Sequence, residues 1–180
     1  MATRYSMILL LFTLSLSFAV PAASVVPTGY RAIAQQARIP PELLWAVALT
    51  ESGSELPQGI RPWPWTLNIA GRGYRYATRQ DACLALQHFM RTTSLKRIDV
   101  GPGQINLGWN GHHFSTPCDG LAPYTNLRVT ASLLRHHYDR WHNWSEAAGR
   151  YHHPAGGTPA RRYKQKVLRY LSLTSLSTRP

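Results

Sequence analysis

Eight carboxylate side chains serve the whole chain: Glu42, Glu51, Glu55, Asp81, Asp99, Asp119, Asp139 and Glu146. Any acid–base chemistry by carboxylates must draw on this short set. Glu51 stands out by its spacing. Leu44, Val47 and Ala48 follow helical periodicity, and one more step along that face reaches Glu51, just before Ser52-Gly53-Ser54 stops the helix. A carboxylate that ends an apolar stripe is partly desolvated, which penalises its charged form and raises its pKa. A general acid for glycoside cleavage needs a value near about 6 to 7, against about 4.3 for a free Glu. The alternative is a solvated Glu at a helix end.

Other residues suit carbohydrate. Trp63, Trp65, Tyr74 and Tyr76 form an aromatic stretch, and indole or phenol rings pack on the flat apolar faces of sugars. The competing reading is that each ring fills the core. Asn68, Gln104 and Asn106 offer the paired donors and acceptors that an acetamido sugar requires. The histidine doublets His112-His113, His136-His137 and His152-His153 lack metal-ligand spacing, because adjacent helical residues point about 100° apart. Ser52 lacks a nucleophile elbow, and Gly101-Pro102-Gly103 lacks the lysine of a phosphate loop. No metal or cofactor is expected.

The elements that hold these residues are mostly helical. A short helix is expected over Tyr30–Arg38, and another starts at Pro41. Pro57, Pro62 and Pro64 exclude a helix in the aromatic stretch, where residues 65–69 and 74–76 suit a hairpin turning at Gly71 and Gly73. Thr78 and Asp81 resemble a capping box that opens a helix to about Thr93. Residues 99–123 are rich in Gly and Pro and are expected to be irregular. A long helix follows over Thr125–His142, with Leu127, Ala131, Leu134, Tyr138 and Trp141 inward. A short one spans Ser145–His152, and a last one starts at Pro159 behind a Thr158 cap. The expected fold is mainly α, with one small β element.

Length and charge set the setting. The chain has 180 residues, enough for one domain. Twenty basic residues against eight acidic ones give a formal charge of +12, which calls for an anionic partner. Arg4, the apolar run Met7–Val20 and the small residues Pro21-Ala22-Ala23-Ser24 describe a secretory signal peptide over 1–23. An uncleaved anchor is the alternative. The mature domain, 24–180, is then periplasmic and has no membrane span. Export favours an acidic cell wall over nucleic acid as the partner, and the basic residues form no clustered stripe. In that oxidising setting Cys83 and Cys118 read as a disulfide, with two free buried thiols as the alternative.

Three segments, in order, resemble one family. Glu51-Ser52 at the end of an apolar helix is similar to the catalytic Glu-Ser of soluble lytic transglycosylases. Gly101-Pro102-Gly103-Gln104-Ile105-Asn106 resembles their Gly-x-Met-Gln motif, and Ala147–His152 with Gly156 their Ala-Tyr-Asn-x-Gly motif. Tyr163 and Val167 fit the final helix. Pro64–Asn68 resembles a subgroup found with conjugative transfer systems.

The resemblance implies an α+β lysozyme-like fold, in which a helical lobe and a small β-hairpin lobe form a sugar-binding cleft. It implies peptidoglycan glycan strands as substrate, with a conjugation or secretion apparatus as a further partner. Glu51 would be the single acid and base, cleaving the bond from N-acetylmuramic acid to N-acetylglucosamine and closing a 1,6-anhydro ring. Ser52, Asn68, Gln104, Asn106 and Tyr151 would bind substrate. Gly103 stands where the family has Met, and His152 where it has Asn. A hydrolytic muramidase would need a second carboxylate, from Glu55, Asp99 or Asp119, about 5 to 9 Å from Glu51. A non-catalytic wall-binding module is the other alternative.

Overall fold

The computed structural model describes residues 26–175, so the signal peptide expected over 1–23 lies outside the described residues. The architecture is mixed α and β, with helices dominating and small antiparallel sheets. Helix α1 (Thr28–Ala37) leads to α2 (Pro41–Ser52), whose first residue lacks the N–H that a first turn leaves unpaired. Every residue from Leu43 to Leu49 is buried. Instead of one apolar stripe, α2 is apolar all round. It forms the centre of the larger core, packed by α1, α5 (Pro123–Trp141), α6 (Trp144–His152) and α7 (Gly157–Ser175).

The β structure is larger than expected. Directly after α2, β1 (Gly53–Leu56) and β2 (Gly59–Pro62) form a hairpin that the sequence reading did not contain. The second sheet has the order β4-β3-β5-β6 and is antiparallel throughout. Its β3 (Thr66–Ile69) and β4 (Arg72–Arg75) are the expected hairpin. Ala70 and Gly71 turn it with φ of 54° and 91°, the left-handed pair that matches strand twist. Strands β5 (Ile98–Val100) and β6 (Ile105–Asn106), with the one-turn helix α4 (Leu107–Asn110), fall within the stretch expected to be irregular.

Register places the side chains. Leu67 pairs with Val100, and Val100 with Ile105, so these apolar residues share one face and form the centre of a second core. Asn68 pairs with Asp99, and Asp99 with Asn106, on the opposite face. Helix α3 (Arg79–Phe89) covers the apolar side with Ala82 and Leu86, and stops short of the expected Thr93. Its cap is the expected Thr78, whose hydroxyl accepts from the Asp81 N–H. The Asp81 carboxylate takes the Thr78 hydroxyl proton, not the backbone N–H of a full box.

Cys83 of α3 and Cys118 of a 3-10 turn (Pro117–Leu121) form the expected disulfide, with Cα atoms 5.3 Å apart. Closing that loop stabilises the fold by about 3 to 4 kcal/mol in the chain-entropy model. Two details differ at the helices. Trp141, expected inward, is 41% exposed and lies under the Arg150 guanidinium. Helix α7 begins at Gly157, so Thr158 lies inside its first turn and its hydroxyl accepts from Arg161. Among the described residues no helix is long and apolar enough to cross a membrane.

Candidate functional site

A cavity of about 440 Å³ opens where the helical core meets the polar face of the sheet. Glu51 enters it from α2, Tyr151 and His152 from α6, and Asn68, Asp99 and Asn106 from the sheet. Gln104 and Trp109 complete the rim nearest the sheet. Five of the six residues expected to act on substrate therefore meet at one cavity. Ser52 does not. It is buried, and its hydroxyl lies 3.0 Å from the Ala48 carbonyl and 2.9 Å from that of Pro102, so it ties α2 to the loop before Gln104.

Glu51 has the environment that its spacing suggested. Its carboxyl pKa is pushed up to about 8, chiefly because burial penalises the charged form. The nearby Tyr163 hydroxyl works against the rise without closing a hydrogen bond of ordinary geometry. The Asp99 charge adds to the rise and Lys166 opposes it. At neutral pH Glu51 holds its proton. Burial also raises the pKa of the Tyr151 and Tyr163 phenols and lowers that of the His152 imidazole. His152 stacks flat on Tyr163, with ring centres 4.5 Å apart.

The loop 101–104 is held by a residue that the sequence reading missed. Asn126 of α5 is fully buried. Its side-chain oxygen accepts from Gly103 N–H at 2.8 Å, and its NH2 donates to the Val100 and Gly120 carbonyls at 2.8 and 2.9 Å. Tyr151 donates its hydroxyl to the Gly103 carbonyl at 2.6 Å, with Thr130 beside it. Tyr151 thus fastens the loop as well as facing the cavity. A Cβ on Gly103 would sit 1.9 Å from Thr130 Oγ1, so this position has no room for a side chain. Gln104 follows with φ 50°, a strained conformation at the cavity wall, while its own amide donates to the Gly101 carbonyl.

The sheet side supplies polar groups in a row. Asn106 donates to Asp99 at 2.8 Å and caps α4 by accepting from Gly108 and Trp109, so its amide is spent on positioning. Asn68 accepts from Gly71 within its hairpin. Burial raises the Asp99 pKa, and the Asn106 bond partly offsets that rise. Trp109 is 63% exposed on the cavity rim, under Lys96 Nζ at 4.2 Å. The aromatic stretch singled out from sequence fills structure instead. Trp63 donates to the Tyr76 carbonyl, and Trp65, Tyr74 and Tyr76 pack on the sheet core.

Faint signals marked what the sequence reading did not place. Ile98-Asp99-Val100 alternates as a strand does, and the missed Asn126 with Thr130 is a polar pair at helical spacing beside an apolar face. Of the carboxylates that could accompany Glu51, only Asp99 lines the cavity. Glu55 is exposed on β1, and Asp119 is bound to Thr116 and Arg79. Among the described residues no group of three or more His, Cys, Asp or Glu is placed to hold a metal ion. No family model, curated protein or solved structure matches the chain.

Proposed function

We propose that this protein is a peptidoglycan lytic transglycosylase with a lysozyme-like fold, exported to the periplasm by its N-terminal segment. One observation carries the reading: a glutamic acid kept protonated by burial at the wall of a polar cavity. Glu51 gives its proton to the glycosidic oxygen between N-acetylmuramic acid and N-acetylglucosamine, and that C–O bond breaks. The acetamide oxygen of the muramic residue stabilises the positive charge at C1. The Glu51 carboxylate then takes the proton from the C6 hydroxyl, whose oxygen bonds to C1 and closes the 1,6-anhydro ring. Glu51 ends as it began, protonated. The buried His153 Nδ1 at the same cavity has no hydrogen-bond partner in the protein, which suits a site completed by a polar ligand. Trp109 offers the exposed ring on which a sugar face can pack.

A hydrolytic muramidase is the second reading, and Asp99 at the same cavity is the observation that favours it. Products separate the two. Mass spectrometry of fragments released from purified peptidoglycan should find anhydro ends, lighter by one water than hydrolysis products of the same bond. Hydrated reducing ends would establish hydrolysis, with Asp99 as the second carboxylate. Glu51→Gln should lower turnover by at least about 10²- to 10⁴-fold, the usual worth of general acid–base catalysis, because one group serves both steps. Undiminished turnover in that variant would refute both readings.

A further inference from the structure

Glu51 borders a second opening. A hollow of about 280 Å³ on the α7 side is lined by Thr50, Glu51, His152, Arg162, Tyr163 and Lys166. It shares Thr50 and Lys166 with a third hollow of about 370 Å³, which adds Arg169, Tyr170 and Leu173. The first of these shares Glu51 and His152 with the main cavity, so the three hollows adjoin in a row, a track of neighbouring hollows from the sheet toward the far end of α7. Arg162, Lys166 and Arg169 stand at i, i+4 and i+7, so one face of α7 presents all three along the floor of the track. All three are exposed, and none enters an ion pair among the described residues. Lys164, on another face, does pair, at 3.5 Å from Glu146. Apart from Glu51, no carboxylate lines either hollow. The Thr50 hydroxyl donates to the Ala46 carbonyl, which leaves the cations as the charged donors, beside the unpartnered Tyr163 hydroxyl.

We propose that this track is a binding site for carboxylates, and that its ligands are the peptide stems carried by the glycan strand. The inference rests on the peptidoglycan reading for the identity of the strand, and on the hollows and the α7 stripe for the site itself. A merely solvated basic face would need no concave surface running into the acid. The cations would hold a stem while the strand lies in the main cavity, so stem-bearing strands bind tighter than bare ones.

The test measures binding by Glu51→Gln protein, which holds strands without cutting them, at low salt where surface charge is least screened. The probes are glycan strands with their peptides and the same strands stripped of them. The double variant Arg162→Gln/Arg169→Gln should weaken stem-bearing strands by roughly five- to twentyfold, the worth of two exposed charge contacts, and leave stripped strands unchanged. Both positions are exposed, so the fold is not at risk. A control, Arg72→Gln/Arg91→Gln, removes the same charge elsewhere and should change neither. Equal weakening of both probes, or the same loss in the control, would overturn the proposal. Stripped strands that fail to bind while stemmed ones hold on would count against the cavity as a glycan site and support the track. Failure of both probes to bind would overturn both.

Discussion

The two sides of the cavity are built by different means. On the helical side, α2 is wrapped in apolar residues, and the one carboxylate at its end is lifted to about 8 chiefly by burial. On the sheet side, polar side chains are placed by register, fastened by mutual hydrogen bonds and backed by a disulfide. The first side creates reactivity and the second creates shape. Helix α5 joins them, sending Leu127, Ala131 and Leu134 into one core and Val129 into the other. Asn126 of that helix is the polar pin between them.

The strongest way to break this division is to remove the pin. Asn126→Ala removes the hydrogen bonds that the buried Gly103 N–H and the Val100 and Gly120 carbonyls make with this side chain. At about 1 to 3 kcal/mol for each unpaired group, partly relieved by relaxation, the cost should be about 3 to 5 kcal/mol in denaturant unfolding. A loss below about 1 kcal/mol would mean that the loop 101–104 is held by something else.

Reduction of Cys83–Cys118 should act on one side only. A loss of about 3 to 4 kcal/mol is expected, which lowers the melting temperature by roughly 8 to 15 °C. Hydrogen exchange should quicken in α3 and the 117–121 turn before it does in α2 and α7. Equal quickening everywhere would mean that the two cores open as one unit.

The helical side was the more legible in the sequence, because periodicity over long apolar helices is a strong signal. Glu51 could be found by one step along such a face, and the 65–76 hairpin by its glycines. What stayed hidden depends on pairing between distant segments. Strands of two or three residues such as β5 and β6 carry too little pattern to be seen alone, so Asp99 could be named as a possible second carboxylate but not placed at the cavity. The hairpin β1–β2 lies between the helix stop at Ser52-Gly53-Ser54 and a stretch whose prolines exclude a helix without marking a strand. The aromatic stretch shows the limit of residue type as a guide: its rings pack on the sheet core, while the exposed ring at the cavity is Trp109. Nor could sequence show that Gly103 faces Thr130 too closely for a side chain, so that glycine there is a packing requirement.

The smallest expected effect tests the rim. Trp109→Ala removes an exposed ring whose cap, Asn106, stays in place, so stability should hardly change. Glycan affinity should fall by about 1 to 2 kcal/mol, on the order of tenfold, as lost stacking on one ring. Unchanged affinity would remove Trp109 from the sugar path and leave the sheet amides as the contacts.

The central claim is that burial holds a proton on Glu51. Its sign carries through to stability. The folded pKa lies above the unfolded value of about 4.5, so the wild type is favoured at low pH and loses stability as pH rises from there through about 8. Glu51→Gln removes that dependence and should melt roughly 10 to 15 °C higher than the wild type at pH 8.5, with little difference at pH 4.5. The most direct measurement is the titration of the Glu51 carboxyl carbon by NMR in the folded protein. The account predicts a midpoint near 8. A midpoint near 4.5, the value of an ordinary solvated glutamate, would contradict it.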